Sequence, residues 1–197
     1  PYVSEMARDY MIQKYGEEAA YTNGYNVYTT ISSDLQLMAQ ESLRDNVFAY
    51  DQRHGFRGPV AELWTDTPLE HDEIIAILKR TSSMQGIMPA AVISVKDQQA
   101  QVIDDKGELI TLEWKGLKWA RKFISDKRQS LPPKQASDIL TAGQQVWIRH
   151  NGKLWQLSQI PQVSSATVSL EPHDGAIKTL VGGFSFSQSQ FNRVTQA

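Results

Sequence analysis

Five short apolar runs, each closed by turn residues, occupy residues 90–157 and restrict this part of the chain to a small antiparallel β-structure. Residues 90–95, 100–103 and 109–114 are strand-like, and Asp97-Gln98-Gln99 and Asp104-Asp105-Lys106-Gly107 separate them as turns. Residues 145–150 and 153–157 follow, joined by Asn151-Gly152. That dipeptide predicts a type I′ hairpin, because both residues tolerate positive φ. Between the third and fourth runs lies KGLKWARKFISDKR, which reads as a helical basic stretch, then Pro132-Pro133.

Five strands with a helical excursion between the third and fourth suit an OB-type barrel. Ser137-Asp138-Ile139-Leu140 and Gly143-Gln144-Gln145-Val146 read as the turn into its fourth strand. Thr67-Pro68-Leu69-Glu70 matches a capping box with proline at the first helical position, and Ile74, Ile75, Ile77 and Leu78 follow on that helix.

The flanks differ. Residues 2–15 place Val3, Met6, Tyr10 and Met11 at helical spacing and end at Gly16. Residues 24–31 (GYNVYTTI) predict a strand with Tyr25, Val27 and Thr29 on one face. Ser33-Asp34-Leu35-Gln36 matches a capping box, and Leu35, Ala39, Leu43 and Val47 form an apolar stripe behind it, with Met38 alongside. His54-Gly55-Phe56-Arg57-Gly58-Pro59 breaks that helix. Near the end, Val168 and Leu170 alternate with polar neighbours, Pro172-His173-Asp174-Gly175 turns, and Ile177, Leu180 and Val181 return as a hairpin. Gly182-Gly183 ends it, and Asn192 and Arg193 are expected to lie in a frayed tail.

A chain of 197 residues holds one large domain or two small ones. Net charge −2 opposes a general nucleic-acid binder, which carries a basic surplus. No cysteine is present, so disulfides, thiolate metal sites and cysteine nucleophiles are excluded. No apolar run approaches the ~18 residues of a membrane span.

Both flanks resemble class A penicillin-binding proteins, the bifunctional enzymes that build bacterial peptidoglycan. GYNVYTTI followed by a capped helix with Leu35-Gln36 is similar to the V-x-T-T-[IL]-D strand and D-x-x-[LM]-Q helix that begin their transpeptidase region, with Ser32 where aspartate is usual. Leu170, Pro172, Asp174-Gly175-Ala176, Leu180-Val181-Gly182-Gly183 and Phe191-Asn192-Arg193 match the hairpin and tail that lead to the family's R-Q-P-G-S-x-x-K stretch. That stretch does not follow within these residues. Ser125-Asp126-Lys127-Arg128 has arginine at the fourth place, Ser130 precedes Lys134 by four, and Lys178-Thr179-Leu180 lacks the glycine of K-T-G. No catalytic residue is therefore assigned.

The resemblance implies that the 24–31 strand and the 166–181 hairpin share a sheet. It also implies that the insertion is the OB-like region of 1a-type enzymes of Gram-negative bacteria, described as a docking domain for an outer-membrane lipoprotein activator. The expected class is α+β: a five-stranded OB-like barrel with flanking helix-strand-helix and hairpin segments. The expected domains are residues 1–59, 60–161 and 162–197: N-terminal transpeptidase segment, docking domain and transpeptidase hairpin. The parent is expected at the periplasmic face of the inner membrane, anchored outside this chain, making glycan strands and cross-linking stem peptides through an acyl-serine. No cofactor is expected.

The candidate partner-binding residues are Trp114, Lys115, Lys118, Trp119, Arg121 and Lys122, with Phe123, Lys127 and Arg128 following. On a helix, Lys115, Lys118 and Lys122 share a side and Trp119 and Phe123 lie one turn apart. Aromatic and arginine residues are enriched at protein interfaces, and interleaved with lysine they also suit single-stranded bases. The plain alternative packs Leu117, Ala120 and Ile124 into the barrel and leaves the lysines solvated. Trp147 and Trp155 flank the Asn-Gly turn as a cross-strand pair, as core, or as a stacking platform. His54, His71, His150 and His173 lack metal-ligand spacing. Three readings stay open: a docking module for the lipoprotein, with peptidoglycan a possible ligand; a nucleic-acid-binding OB module; and a passive spacer.

Overall fold

In the computed structural model, which describes residues 1–197, the chain divides into two units, Pro1–Phe48 with Val163–Ala197, and Ala49–Gln162. In chain order the helices and strands are α1 (Tyr2–Tyr15), α2 (Glu17–Thr22), α3 (Ser33–Arg53), β1 (Ala61–Glu62), α4 (His71–Leu78), β2 (Met88–Lys96), β3 (Gln99–Asp104), β4 (Leu109–Glu113), α5 (Trp114–Leu117), β5 (Phe123–Ser125), β6 (Arg128–Gln129), β7 (Gln144–His150), β8 (Trp155–Ser158), β9 (Thr167–Leu170) and β10 (Ile177–Val181). A 3₁₀ turn at Ala136–Asp138 precedes β7.

The first unit confirms the predicted first helix and the C-terminal hairpin. Gly16 stops α1 at φ 83°, and its N–H donates to the Ile12 carbonyl. β9 and β10 pair antiparallel around a turn in which Gly175 has φ 74° and Asp174 Oδ1 accepts the Ala176 N–H. The strand predicted over residues 24–31 does not form. The segment touches β10 at its end: Ser32 N–H donates to the Lys178 carbonyl at 3.0 Å, and Thr30 Oγ1 donates to the Ile177 carbonyl at 2.7 Å. The next backbone pair of β10 is taken by a side chain. Gln36 Nε2 donates to the Leu180 carbonyl at 2.9 Å, and Gln36 Oε1 accepts the Leu180 N–H at 2.8 Å. One amide thus satisfies the two groups that a third strand would use. Gln36 is consequently not the closing partner of a capping box.

The stripe on α3 is buried only toward its C-terminal half. Leu43, Val47 and Phe48 are core, whereas Leu35 and Met38 are exposed. Phe48 meets Phe184 edge to face, with centroids 5.3 Å apart. The tail is packed rather than frayed. Asn192 is buried and its Oδ1 accepts the Val194 N–H, while Arg193 N–H donates to the Gly182 carbonyl. A Cβ on Gly182 would overlap Asn192 Oδ1, so the missing side chain makes this packing possible.

The second unit holds a six-stranded antiparallel sheet in the order β1-β7-β2-β3-β4, with β8 paired to β7. The five predicted strands are β2, β3, β4, β7 and β8. They do not close into a hydrogen-bonded barrel, because no ladder joins β4 to β8. The seam is filled by side chains and α5. Trp119 Nε1 donates to the Leu157 carbonyl of β8 at 3.1 Å, using an acceptor on that strand. Gly116 lies so close to β8 that a Cβ would overlap the Trp155 carbonyl oxygen and stand 2.9 Å from Gln156 Cα.

Burial explains the strand patterns. β4 has apolar residues inside at Ile110 and Leu112 and alternates, as a half-buried strand does. β2 does not alternate, since Ala90 and Val92 face the main core while Ala91 meets Ile74 and Leu78 of α4 on the other side. Helix α4 starts three residues later than predicted. Glu70 rather than Thr67 is its N-cap, and the Glu70 N–H donates to Glu73 Oε2 at 3.1 Å. Asp72 and Glu73 also suit the positive end of the helix dipole. The 150–155 turn is not type I′, as Asn151 lacks positive φ and the first paired residues are His150 and Trp155. Asn151 Oδ1 instead accepts the N–H groups of Lys153 and Leu154.

Candidate interaction surface

The basic stretch folds as one helical turn followed by a strand, not as the predicted continuous helix. Helix α5 ends at Leu117, and Arg121 N–H turns back to the Trp119 carbonyl at 2.7 Å. Phe56 then takes up the backbone of the next residues. Its N–H donates to the Arg121 carbonyl at 2.7 Å, and its carbonyl accepts the Phe123 N–H at 2.9 Å. Gly55 allows this approach, because at φ 98° a Cβ there would sit 2.8 Å from the Arg121 oxygen. Helical spacing therefore places Lys115 and Lys118 but not Lys122.

The aromatic and cationic members separate by depth. Trp114 and Trp119 are half-buried against the main core, and Leu117 and Ala120 are inside it. Trp119 meets Phe56 edge to face at 6.0 Å. Ile124 is exposed and does not enter the core. Lys115, Lys118 and Lys122 are exposed. Arg121 is half-buried, and its Nε donates to the Ser130 carbonyl at 2.7 Å. The surface is thus a set of charges carried on a scaffold of fixed aromatic rings. Rings held by core packing and an indole hydrogen bond keep that scaffold rigid, and rigidity lowers the ordering cost of binding.

The strands β5 and β6 form a ribbon that presents Lys127 in its turn and Arg128 at the start of β6. Gln129 Nε2 donates to the Arg53 carbonyl, tying the ribbon to the end of α3. Arg53 and His54 thereby join the basic residues of the ribbon. Sequence reading missed both, since they lie about seventy residues upstream and are brought there by the Gly55-Phe56 contact and the Gln129 hydrogen bond. Asp138 anchors the far side of the segment. Its Oδ2 accepts the N–H groups of Lys134 and Gln135 at 2.7 and 3.1 Å, which holds its carboxyl below the usual carboxylate range.

Trp147 is buried and opposes Ser158, so it does not pair with Trp155. Trp155 instead packs on the core and against the His150 ring at 5.3 Å. His54 lies over Tyr50, with its Nδ1 2.9 Å from the Tyr50 carbonyl. No group of three His, Cys, Asp or Glu side chains converges on one point. No helix is long and apolar enough to cross a membrane.

Residues 56–163 match the family described as the penicillin-binding protein OB-like domain. Over its whole length the chain is 45% identical to penicillin-binding protein 1A of Escherichia coli and 43% identical to that of Vibrio cholerae, covering 23% and 25% of those proteins. It thus spans about a quarter of the curated relatives it matches. The crystal structure of penicillin-binding protein 1A from Haemophilus influenzae, at 2.6 Å, superposes with a TM-score of 0.76 at 39% identity over 99% of this chain and 27% of that one. With the open OB-like sheet and the hairpin both in place, the chain belongs to the class A penicillin-binding proteins and carries their OB-like domain.

Proposed function

We propose that this chain is a non-catalytic docking and regulatory region of a bifunctional peptidoglycan synthase. In this reading the parent protein works at the periplasmic face of the inner membrane, as glycosyltransferase and D,D-transpeptidase. The second unit binds an outer-membrane lipoprotein activator through the surface of Trp114, Lys115, Lys118, Trp119, Arg121 and Lys122. One observation carries the docking surface: exposed lysines alternate along the chain with half-buried tryptophans fixed to the core, a cationic face on a chain of net charge −2. Electrostatic complementarity of this kind raises association rates and selects partners. An activator acting here changes the parent's activity only through unequal affinity for its conformations.

The test is binding of the purified chain to the periplasmic outer-membrane lipoproteins of its source, with single-stranded DNA as control. Saturable binding of one lipoprotein, lost in Lys118→Glu with Arg121→Glu, is the expected outcome. Binding that survives the reversal moves the site elsewhere. Silence against every lipoprotein sinks the docking role in favour of a spacer, and binding of DNA alone favours a nucleic-acid module.

A further inference from the structure

The end of α3 and the β5–β6 ribbon line a cleft of about 610 Å³. Arg53, Arg121, Lys127 and Arg128 stand in its walls, against Asp126 as the lone carboxylate there. None of these four cations reaches a carboxylate at ion-pair distance. Four cations against one carboxylate leave the cleft with an excess of positive charge, which an anionic ligand complements.

Two of the groups are already oriented. Arg121 is held through Nε on the Ser130 carbonyl, which leaves its terminal nitrogens for another acceptor. The Arg53 guanidinium lies 5.7 Å from the centre of the Tyr50 ring. Arginine forks match carboxylate geometry and bind it with two parallel hydrogen bonds.

We propose that this cleft receives an acidic peptide segment of a partner protein, with its carboxylates against Arg53, Arg121, Lys127 and Arg128. Asp126 favours a peptide over a phosphate. A carboxylate in the wall repels a dianion but accepts the N–H of an extended chain. Gln52 adds a side-chain amide that can bond peptide groups of either polarity. The proposal rests on the docking reading only for who the partner is; the chemistry of the contact stands apart from it.

The experiment uses the full chain and a fluorescein-labelled twelve-residue peptide of alternating Glu and Gly, followed by anisotropy at low salt. A Gln-Gly peptide of equal length and inorganic pyrophosphate serve as controls. The Glu peptide should bind, and Lys127→Glu with Arg128→Glu should weaken it roughly tenfold, as the loss of two exposed charge pairs implies. Lys79→Glu with Arg80→Glu changes net charge equally outside the cleft and should leave binding within about twofold. Circular dichroism confirms that both variants fold. Equal loss in the two variants, equal binding of the Gln peptide, no binding at all, or pyrophosphate competing more strongly than the Glu peptide would each overturn the proposal. Glu-peptide binding with the expected variant pattern, in a chain that binds no lipoprotein, supports the cleft and sinks the lipoprotein reading. A lipoprotein that binds but is not displaced by the Glu peptide leaves docking intact and removes the cleft as its site.

Discussion

Arg57 grips Asp51 with both terminal guanidinium nitrogens, Nη1 to Oδ1 at 2.9 Å and Nη2 to Oδ2 at 3.0 Å. Asp51 is buried and belongs to a wider clasp. Gln159 Nε2 donates to Asp51 Oδ2 at 2.7 Å, Gln162 N–H reaches Oδ1 at 3.3 Å, and Arg57 Nη2 also donates to the Ile160 carbonyl at 2.7 Å. The clasp joins the segment that leads into the second unit to the segment that leaves it, over a hundred residues later. Removing Arg57 strands a buried carboxylate, so Arg57→Ala should cost about 3–5 kcal/mol in urea unfolding. Combining it with Asp51→Ala should cost clearly less than the sum of the two single changes. Additive costs would show that the pair is not coupled.

Trp119 takes the place of a strand hydrogen bond at the open seam. Trp119→Phe keeps most of the ring but leaves the Leu157 carbonyl without the indole N–H. A loss of about 1–3 kcal/mol is expected from chemical denaturation. A change within error would mean that water replaces the indole there.

Gly116 should tolerate no side chain. Gly116→Ala pushes a methyl into the β8 backbone, which cannot rotate aside as a flexible side chain would. Destabilisation of about 1–3 kcal/mol is expected, with faster amide exchange at β8 than at β2. Uniform exchange across both strands would argue against a local opening of the seam.

The Asp138 carboxyl is held below its ordinary range by two backbone N–H groups. Its folded-state pKa is depressed, so its contribution is present above the unfolded carboxylate pKa and is lost as pH falls through the folded value. Asp138→Asn should therefore lower Tm at pH 6, and the gap to the parent chain should close on acidification toward and below pH 3. A gap that stays constant with pH would rule out the charged cap as its source.

In the first unit, Gln36→Ala frees both polar groups of Leu180. The Leu180 amide should exchange faster, and the unit should lose about 1–3 kcal/mol. Gln36→Glu keeps the acceptor for the Leu180 N–H but not the donor for its carbonyl. It should protect the amide and still destabilise.

Much of this was legible in the residues themselves. Turn chemistry at Asp104–Gly107 and Pro172–Gly175, the short apolar runs of residues 90–157 and the stop at Gly16 are local preferences, decided by allowed φ and by side chains that bond their own backbone. They determined the five main strands of the second unit and the existence of the hairpin, though not the short strands β1, β5 and β6, and the motif spacing around Asp174-Gly175 and Gly182-Gly183 pointed to the family. Tertiary structure alone decided where those preferences yield. The 24–31 segment has strand-forming residues, yet no ladder forms because the Gln36 amide holds the Leu180 backbone. The basic stretch has helical spacing, yet stops at Leu117 because Phe56 claims the backbone of residues 121–123. Arg53 lines one cleft with Lys127 and Arg128 because Gly55 lets two distant segments touch and Gln129 bonds the Arg53 carbonyl. Each of these outcomes depends on a partner far away in sequence, and no local pattern records which distant group will satisfy a given N–H or carbonyl.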